Sequence, residues 1–154
     1  MVTIREKTTV KQRISAHCPS HSRSDVKVRD QAFIIDEPEE RGGTNKGPTP
    51  TETALGALVA CTNVIGNKVA HKLGIDVAGM DVSIVCDFDR RGVTLVEEID
   101  VPFEAIKLRV EVQTSASQSE VDKLAREVAK YCPLAKLFRQ AGTRLDEEWI
   151  IKGH

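Results

Sequence analysis

The sequence predicts an α+β fold. Three observations carry that expectation. Apolar residues recur with period two at Val82, Ile84, Cys86 and Phe88 and at Ile106, Leu108, Val110 and Val112, as half-buried strands require, and further strands are read near both ends of the chain. Two long helical patterns separate these stretches; one opens on a capping box at Thr49, and the other spaces its apolar residues four, three, four and three from Val121 to Ala135. The strands are neighbours in sequence, in the order β-β-α-β-β-α-β, which favours largely antiparallel sheets. A length of 154 residues suits a single domain spanning 1–154, and the chain contains no repeat, low-complexity tract or linker.

The elements follow in order. Thr8 to His17 reads as a first strand, and Cys18-Pro-Ser-His-Ser-Arg-Ser24 as turn chemistry. Val26 to Ile35 returns as a second strand and completes a hairpin. A loop from Asp36 to Pro50 carries an acidic run, then Arg41-Gly-Gly-Thr-Asn-Lys-Gly-Pro48. Thr49 is a good N-cap, Pro50 suits the first helical position, and Glu52 completes the capping box. This helix runs to about Leu73, where Gly74 is a natural stop. From Ala54 to Cys61 it has no polar residue on any face, which predicts burial all round. One small sheet cannot cover such a helix; a symmetric dimer burying two of them between sheets can.

Val82, Ile84, Cys86 and Phe88 alternate with Ser83, Asp87 and Asp89, although Val85 breaks the polar face. Ile106, Leu108, Val110 and Val112 alternate with charged or polar residues without exception. A second helix starts at Ser119, with Asp122 as a weaker capping-box acid, and Pro133 is expected to kink it beside Cys132. A last strand lies around Trp149 to Ile151.

Composition excludes several functions. Lys and Arg number 22 against 23 Asp and Glu, a formal net charge of −1. A general nucleic-acid binder needs a basic surplus, so no nucleic-acid partner is expected. Four Phe, one Tyr and one Trp leave an aliphatic core and no stacking platform for bases. No segment approaches the roughly 20 apolar residues of a membrane span, so no membrane partner is expected. Met1 to Lys7 has no apolar signal core, and the expected location is the reducing cytoplasm. There the four cysteines sit as buried small hydrophobes or as reactive thiols rather than as permanent staples.

Each cysteine has a plain reading. Cys61 can fill a tight contact on the apolar helix, with Ala54, Ala57, Leu58, Val64 and Ile65 as wheel neighbours. Cys132 continues the stripe of the second helix. A proline immediately after it breaks the hydrogen-bond ladder, a costly feature unless a bent backbone at the thiol is useful. Cys86 reads as core. Cys18, between His17 and His21, falls short of zinc-ligand spacing, so no metal is expected. There is no phosphate-binding glycine loop and no Gly-x-Ser-x-Gly elbow.

Two stretches resemble a known family. Gly42-Gly-Thr-Asn-Lys-Gly-Pro-Thr-Pro-Thr-Glu52, an apolar helix and then Cys61 look like the first signature of the OsmC/Ohr family. Tyr131-Cys132-Pro133 resembles the second, a Cys-Pro late in the second long helix. The resemblance covers nearly the whole chain. It implies an intertwined homodimer with two long central helices wrapped by antiparallel sheets. It also implies a thiol peroxidase that reduces organic hydroperoxides without metal or prosthetic group. Cys61 would be the peroxidatic thiolate, Cys132 would resolve its sulfenic acid as a disulfide, and an external dithiol would reduce that disulfide. A nearby resolving thiol stops oxidation short of sulfinic acid.

The sequence departs from the pattern at two places. In the best-known peroxidases of the family the glutamate directly follows the proline; here Thr51 has that place and Glu52 comes next. Glu52 lies nine residues before Cys61, on the opposite helix face and roughly 13 Å away along the axis. It therefore contacts a Cys61 only in a partner chain, or is simply the capping acid. The family also uses an arginine near the first hairpin to activate the thiolate; Arg23 lies nearest the matching place, with Arg29, inside the second strand, as runner-up. Two other readings stand beside the peroxidase: a non-enzymatic dimeric protein that senses redox state or binds a small apolar ligand, and a structural protein with inert thiols.

Overall fold

The computed structural model describes residues 8–153. The segment 1–7, in which the sequence carries no apolar signal core, and His154 lie outside them. The described chain divides into two compact units, one up to Ala54 and one from Leu55 onward. No helix of the described residues is long and apolar enough to cross a membrane.

The first unit holds an antiparallel sheet in the order β1-β2-β3, made of β1 (Ser15–His17), β2 (Ser24–Val28) and β3 (Gln31–Ile35). This corrects the sequence reading in two places. The first strand is short: 8–14 contribute nothing to it. The stretch 26–35 is two strands, because the chain reverses at Arg29 and Asp30. Arg29 takes a positive φ of 55°, as such a tight turn demands. The turn has no glycine or asparagine, so the usual hairpin signal is missing. Arg29 is therefore a turn residue, not part of a strand.

Asp36 organises the loop that follows. Its side chain is wholly buried and accepts hydrogen bonds from Glu37 N at 2.8 Å, Thr44 N at 3.1 Å, Thr44 Oγ1 at 2.5 Å and Lys46 N at 3.2 Å. The Thr44 hydroxyl foremost, with the three backbone donors, holds the carboxyl far below the usual carboxylate range. The chain then passes so close to itself that Gly43 and Gly47 have no room for a side chain. A Cβ on Gly43 would lie 1.8 Å from the Glu37 carbonyl oxygen, and one on Gly47 would lie 2.1 Å from that of Ile34.

The first helix, α1 (Pro50–Leu73), begins where the sequence places it. Thr49 N donates to Glu52 Oε2 at 2.8 Å, and Glu52 N donates to Thr49 Oγ1 at 3.3 Å, closing the capping box. Within the single chain α1 buries one face, with Leu58, Thr62, Gly66, Val69 and Ala70. Gly56, Ala57, Ala60 and Val64 stay exposed, so burial all round is not reached inside one chain.

The second unit carries β4 (Gly79–Phe88), β5 (Phe103–Gln113), α2 (Gln118–Tyr131), α3 (Pro133–Gln140) and β6 (Arg144–Ile151). Their sheet runs β4-β5-β6. β4 and β5 pair antiparallel, whereas β5 and β6 pair parallel, the one exception among the described pairings to the largely antiparallel strands expected. The cause is connectivity: α2 and α3 return the chain to the starting end of the sheet before β6 begins. Ile106, Leu108, Val110 and Val112 of central β5 are fully buried, as the alternation predicts, and so are Val121, Leu124 and Val128 of α2, which packs on β6. Gly66 lets α1 approach this layer; a Cβ there would stand 3.0 Å from Met80 Cε and 3.3 Å from Trp149 Cη2. The capping box of α2 is Ser117 with Glu120, two residues earlier than Ser119 and Asp122. Ser117 Oγ accepts from Glu120 N at 3.3 Å, and Ser117 N donates to Glu120 Oε2 at 2.8 Å.

Candidate active site

Cys132 occupies a break, not a kink. The sequence reads one helix bent by Pro133; the structure has two, with Cys132 as the C-cap of α2 and the N-cap of α3. The physical reason lies with the residue before a proline. The proline ring disfavours helical backbone at that residue, and Cys132 accordingly takes φ −68° and ψ 108°. Cys132 N still donates to Val128 O at 2.9 Å and Cys132 O already accepts from Lys136 N at 3.1 Å, so one residue ends one ladder and starts the next.

The break is held from both sides. Lys72 near the end of α1 stands 5.4 Å from the ring centre of Tyr131, beside Cys132. Beyond it, α3 is fastened to the sheet. Phe138 meets Phe103 edge-on at 5.3 Å, Phe103 meets Phe88 at 5.0 Å, and Arg139 Nη2 pairs with Glu147 Oε2 at 2.7 Å. Three of the four phenylalanines thus serve this one corner.

The Cys61 side chain lies near enough to Cys132 to act on its thiol. Cys61 is half-buried on α1, whereas Cys132 is only 1% exposed. Burial is the main force on the Cys132 thiol and pushes its pKa up; the Cys61 side chain pushes the same way. Opposing them, the backbone N–H groups of Ala135 and Leu134 favour the thiolate. No side-chain cap hydrogen bond is closed, so this is a dipolar influence from the first turn of α3. Two thiols near one another, one sheltered and one half-buried, are the chemistry a reversible disulfide would need.

The other sequence-singled residues lie elsewhere. Cys86 is half-buried rather than core, because β4 is an edge strand; burial and the neighbouring Asp87 push its thiol up. Cys18 is exposed, with Sγ 3.5 Å from Ser24 Oγ. Among the described residues no group of three or more His, Cys, Asp or Glu is disposed to hold a metal ion.

The candidate activating charges sit in the first unit and have partners there. Arg23 donates to Asp25 through Nε at 2.6 Å and Nη2 at 3.3 Å. Arg29 is an exposed turn residue 3.9 Å from Asp30. Glu52 is engaged in the capping box. Sequence reading missed Asp36, taking it as one acid in a run, and missed the α3 donors, for which Pro133 was the available signal.

Comparison with solved structures places the fold. An OsmC-like protein from Mycoplasma pneumoniae superposes with a TM-score of 0.78 at 18% identity, covering 94% of this chain and 99% of that one. An organic hydroperoxide resistance protein OsmC from Legionella pneumophila gives 0.67 at 17% identity, with 96% and 100% covered. The organic hydroperoxide resistance protein OhrB of Bacillus subtilis gives 0.59 at 18% identity, with 93% and 98% covered. A search of curated proteins finds no match. A family model described as OsmC-like protein matches residues 43–148, more than half of the chain, and the chain therefore belongs to the OsmC-like protein family.

Proposed function

We propose that the chain is a thiol-dependent peroxidase for organic hydroperoxides, acting in oxidative-stress defence in the cytoplasm. The nearness of Cys61 to the buried Cys132 supports this reading. The Cys61 thiolate attacks the O–O bond, releases an alcohol after protonation and becomes a sulfenic acid. Cys132 then attacks that sulfur, water leaves, and a Cys61–Cys132 disulfide remains. An external dithiol gives up two electrons and two protons to restore both thiols. An apolar first helix around Cys61 suits an apolar hydroperoxide.

The functional unit in this reading is a homodimer with 1–154 as one domain per chain. The exposed apolar residues Gly56, Ala57, Ala60 and Val64 of α1 support a covering second copy. Arg23, with Arg29 as runner-up, and Glu52 are the charges to test as activators of the Cys61 thiolate. Their existing partners favour a second reading, a non-enzymatic dimer that senses redox state or binds a small apolar ligand. One equivalent of an alkyl hydroperoxide followed by peptide mass mapping should yield a Cys61–Cys132 disulfide. Absence of both this bond and a Cys61 sulfenate sinks the peroxidase. Turnover with dihydrolipoamide separates the two readings: steady catalysis excludes the non-enzymatic one.

A further inference from the structure

A reducing dithiol must meet the oxidised protein at its surface, and the surface around Cys132 is strongly biased in charge. We propose that the basic face formed by α2, the start of α3 and the end of α1 selects an anionic dithiol as reductant, with Lys130 and Lys136 as its specificity-determining residues. This assignment rests on the peroxidase reading and names the class of its reductant.

Helical spacing builds the face. Lys123, Arg126 and Lys130 follow one another at three and four residues on α2, which makes them neighbours on one side. Lys130 stands two residues before Cys132. Lys136 stands four after it, and Lys136 N donates to Cys132 O at 3.1 Å. Lys72 joins from α1, with Nζ 5.4 Å from the ring centre of Tyr131. All five cations are exposed. One carboxylate lies among them, that of Glu127, which pairs with Lys130 at 2.5 Å. Lys130 foremost, then Lys72 and Lys123, hold that carboxyl below its ordinary value, so three cations share one acid. Among the described residues Lys72, Lys123, Arg126 and Lys136 have no carboxylate partner. The other acids of α2, Glu120 and Asp122, are engaged at its far end by Ser117 and Gln118.

Helix electrostatics explain only part of this. A cation at the C-terminal end of α2 suits the helix dipole, which accounts for Lys130. The start of α3 is a positive end that favours acid, yet its first turn holds none and Lys136 follows directly. The whole chain has 22 Lys and Arg against 23 Asp and Glu, so the surplus is local. It also lies off the stripe of α1 given to a second copy. Four of the five cations are on α2 and α3, and Lys72 is about 100° round α1 from the middle of Gly56, Ala57, Ala60 and Val64. Such a surplus acts over about 8–10 Å in dilute and physiological salt, and one helical turn rises only about 5.4 Å. Lys130 and Lys136, each about a turn or less from Cys132, therefore draw in a thiol that carries negative charge and repel one that carries positive charge.

The step balances. The thiolate of the dithiol forms an S–S bond to one cysteine as the Cys61–Cys132 bond breaks, and the other cysteine leaves with the electron pair and takes up a proton. The second thiol of the dithiol, once deprotonated, displaces the first cysteine in the same way. The dithiol is oxidised to its disulfide, and two electrons and two protons reach the protein.

The test uses the full chain oxidised with one equivalent of alkyl hydroperoxide. Three monothiols on one two-carbon frame isolate the first attack: 2-mercaptoethanesulfonate, 2-mercaptoethanol and 2-aminoethanethiol. Rates of disulfide opening are compared per thiolate, the attacking species. At low ionic strength the sulfonate should react roughly threefold to tenfold faster than the neutral thiol, and the ammonium thiol slower than both. These differences should collapse in about 0.5 M salt. The double variant Lys130→Gln with Lys136→Gln should lose most of the preference, whereas Lys107→Gln, on β5, should keep it. No preference at low salt, a preference that salt leaves unchanged, or one that the double variant retains in full overturns the inference and leaves the peroxidase reading intact. If the disulfide forms with diamide but not with hydroperoxide, the peroxidase reading falls and the same charge series judges the face. If it forms with neither, both fall.

Discussion

Replacing Gly43 by alanine sets a new Cβ 1.8 Å from the Glu37 carbonyl oxygen, 2.4 Å from its carbon and 2.8 Å from its Cα. All three atoms are backbone, so no side chain can swing aside. Ordinary contact begins near 3.4 Å, and about 1.6 Å of separation must be found in the main chain. The loop resists this. Glu37 O accepts from Asn45 N at 3.0 Å, Gly43 N donates to Pro38 O at 3.1 Å, and Asp36 grips Thr44 and Lys46 on either side of Asn45. Overpacking strain of a few kcal/mol, with at least one hydrogen bond lost, gives a destabilisation of about 3 kcal/mol or more. For a chain of this size that lowers the thermal midpoint by roughly 6–12 °C. Urea titration followed by circular dichroism, together with a thermal scan, measures it. A Gly43→Ala protein whose stability lies within about 0.5 kcal/mol of the parent refutes the steric argument.

Three further outcomes are expected. Asp36 has its folded pKa depressed, so the stability it contributes is present above the unfolded value and fades as acid titrates the group. Unfolding midpoints of the parent should therefore fall from about pH 5 downward, and Asp36→Asn should be less stable at neutral pH with a flatter acid profile. Ser117→Ala should cost about 1 kcal/mol through the lost α2 cap, while Ser119→Ala should be near neutral; chemical denaturation of the pair checks which serine starts the helix. Cys132→Ser should abolish the intramolecular disulfide and let excess hydroperoxide carry Cys61 on to sulfinic acid, a gain of two oxygen atoms read by intact mass; a Cys61 that stays unmodified counts against its peroxidatic role.

The outcome for individual residues shows what was legible. The start of α1 was readable from Thr49, Pro50 and Glu52 because a capping box is a local transaction between neighbours in sequence. The burial of β5 was readable because its period is unbroken. The reversal at Arg29 was not, since a turn without glycine or asparagine leaves no mark and the apolar pattern runs on through it. Nor was the Ser117 cap, because two overlapping Ser-x-x-acid patterns compete and only the assembled helix selects one.

By itself the sequence determined the α+β class and most element types, since caps and periodicity act over a few residues, whereas the pairing of Cys61 with Cys132 came from the resemblance to the OsmC/Ohr signatures. Tertiary structure alone decided the parallel pairing of β6, the burial of Asp36 and the burial of Cys132. Each of these joins residues far apart in the chain, or depends on what surrounds a group. Such relations follow from how helices and strands pack, and no local pattern encodes them.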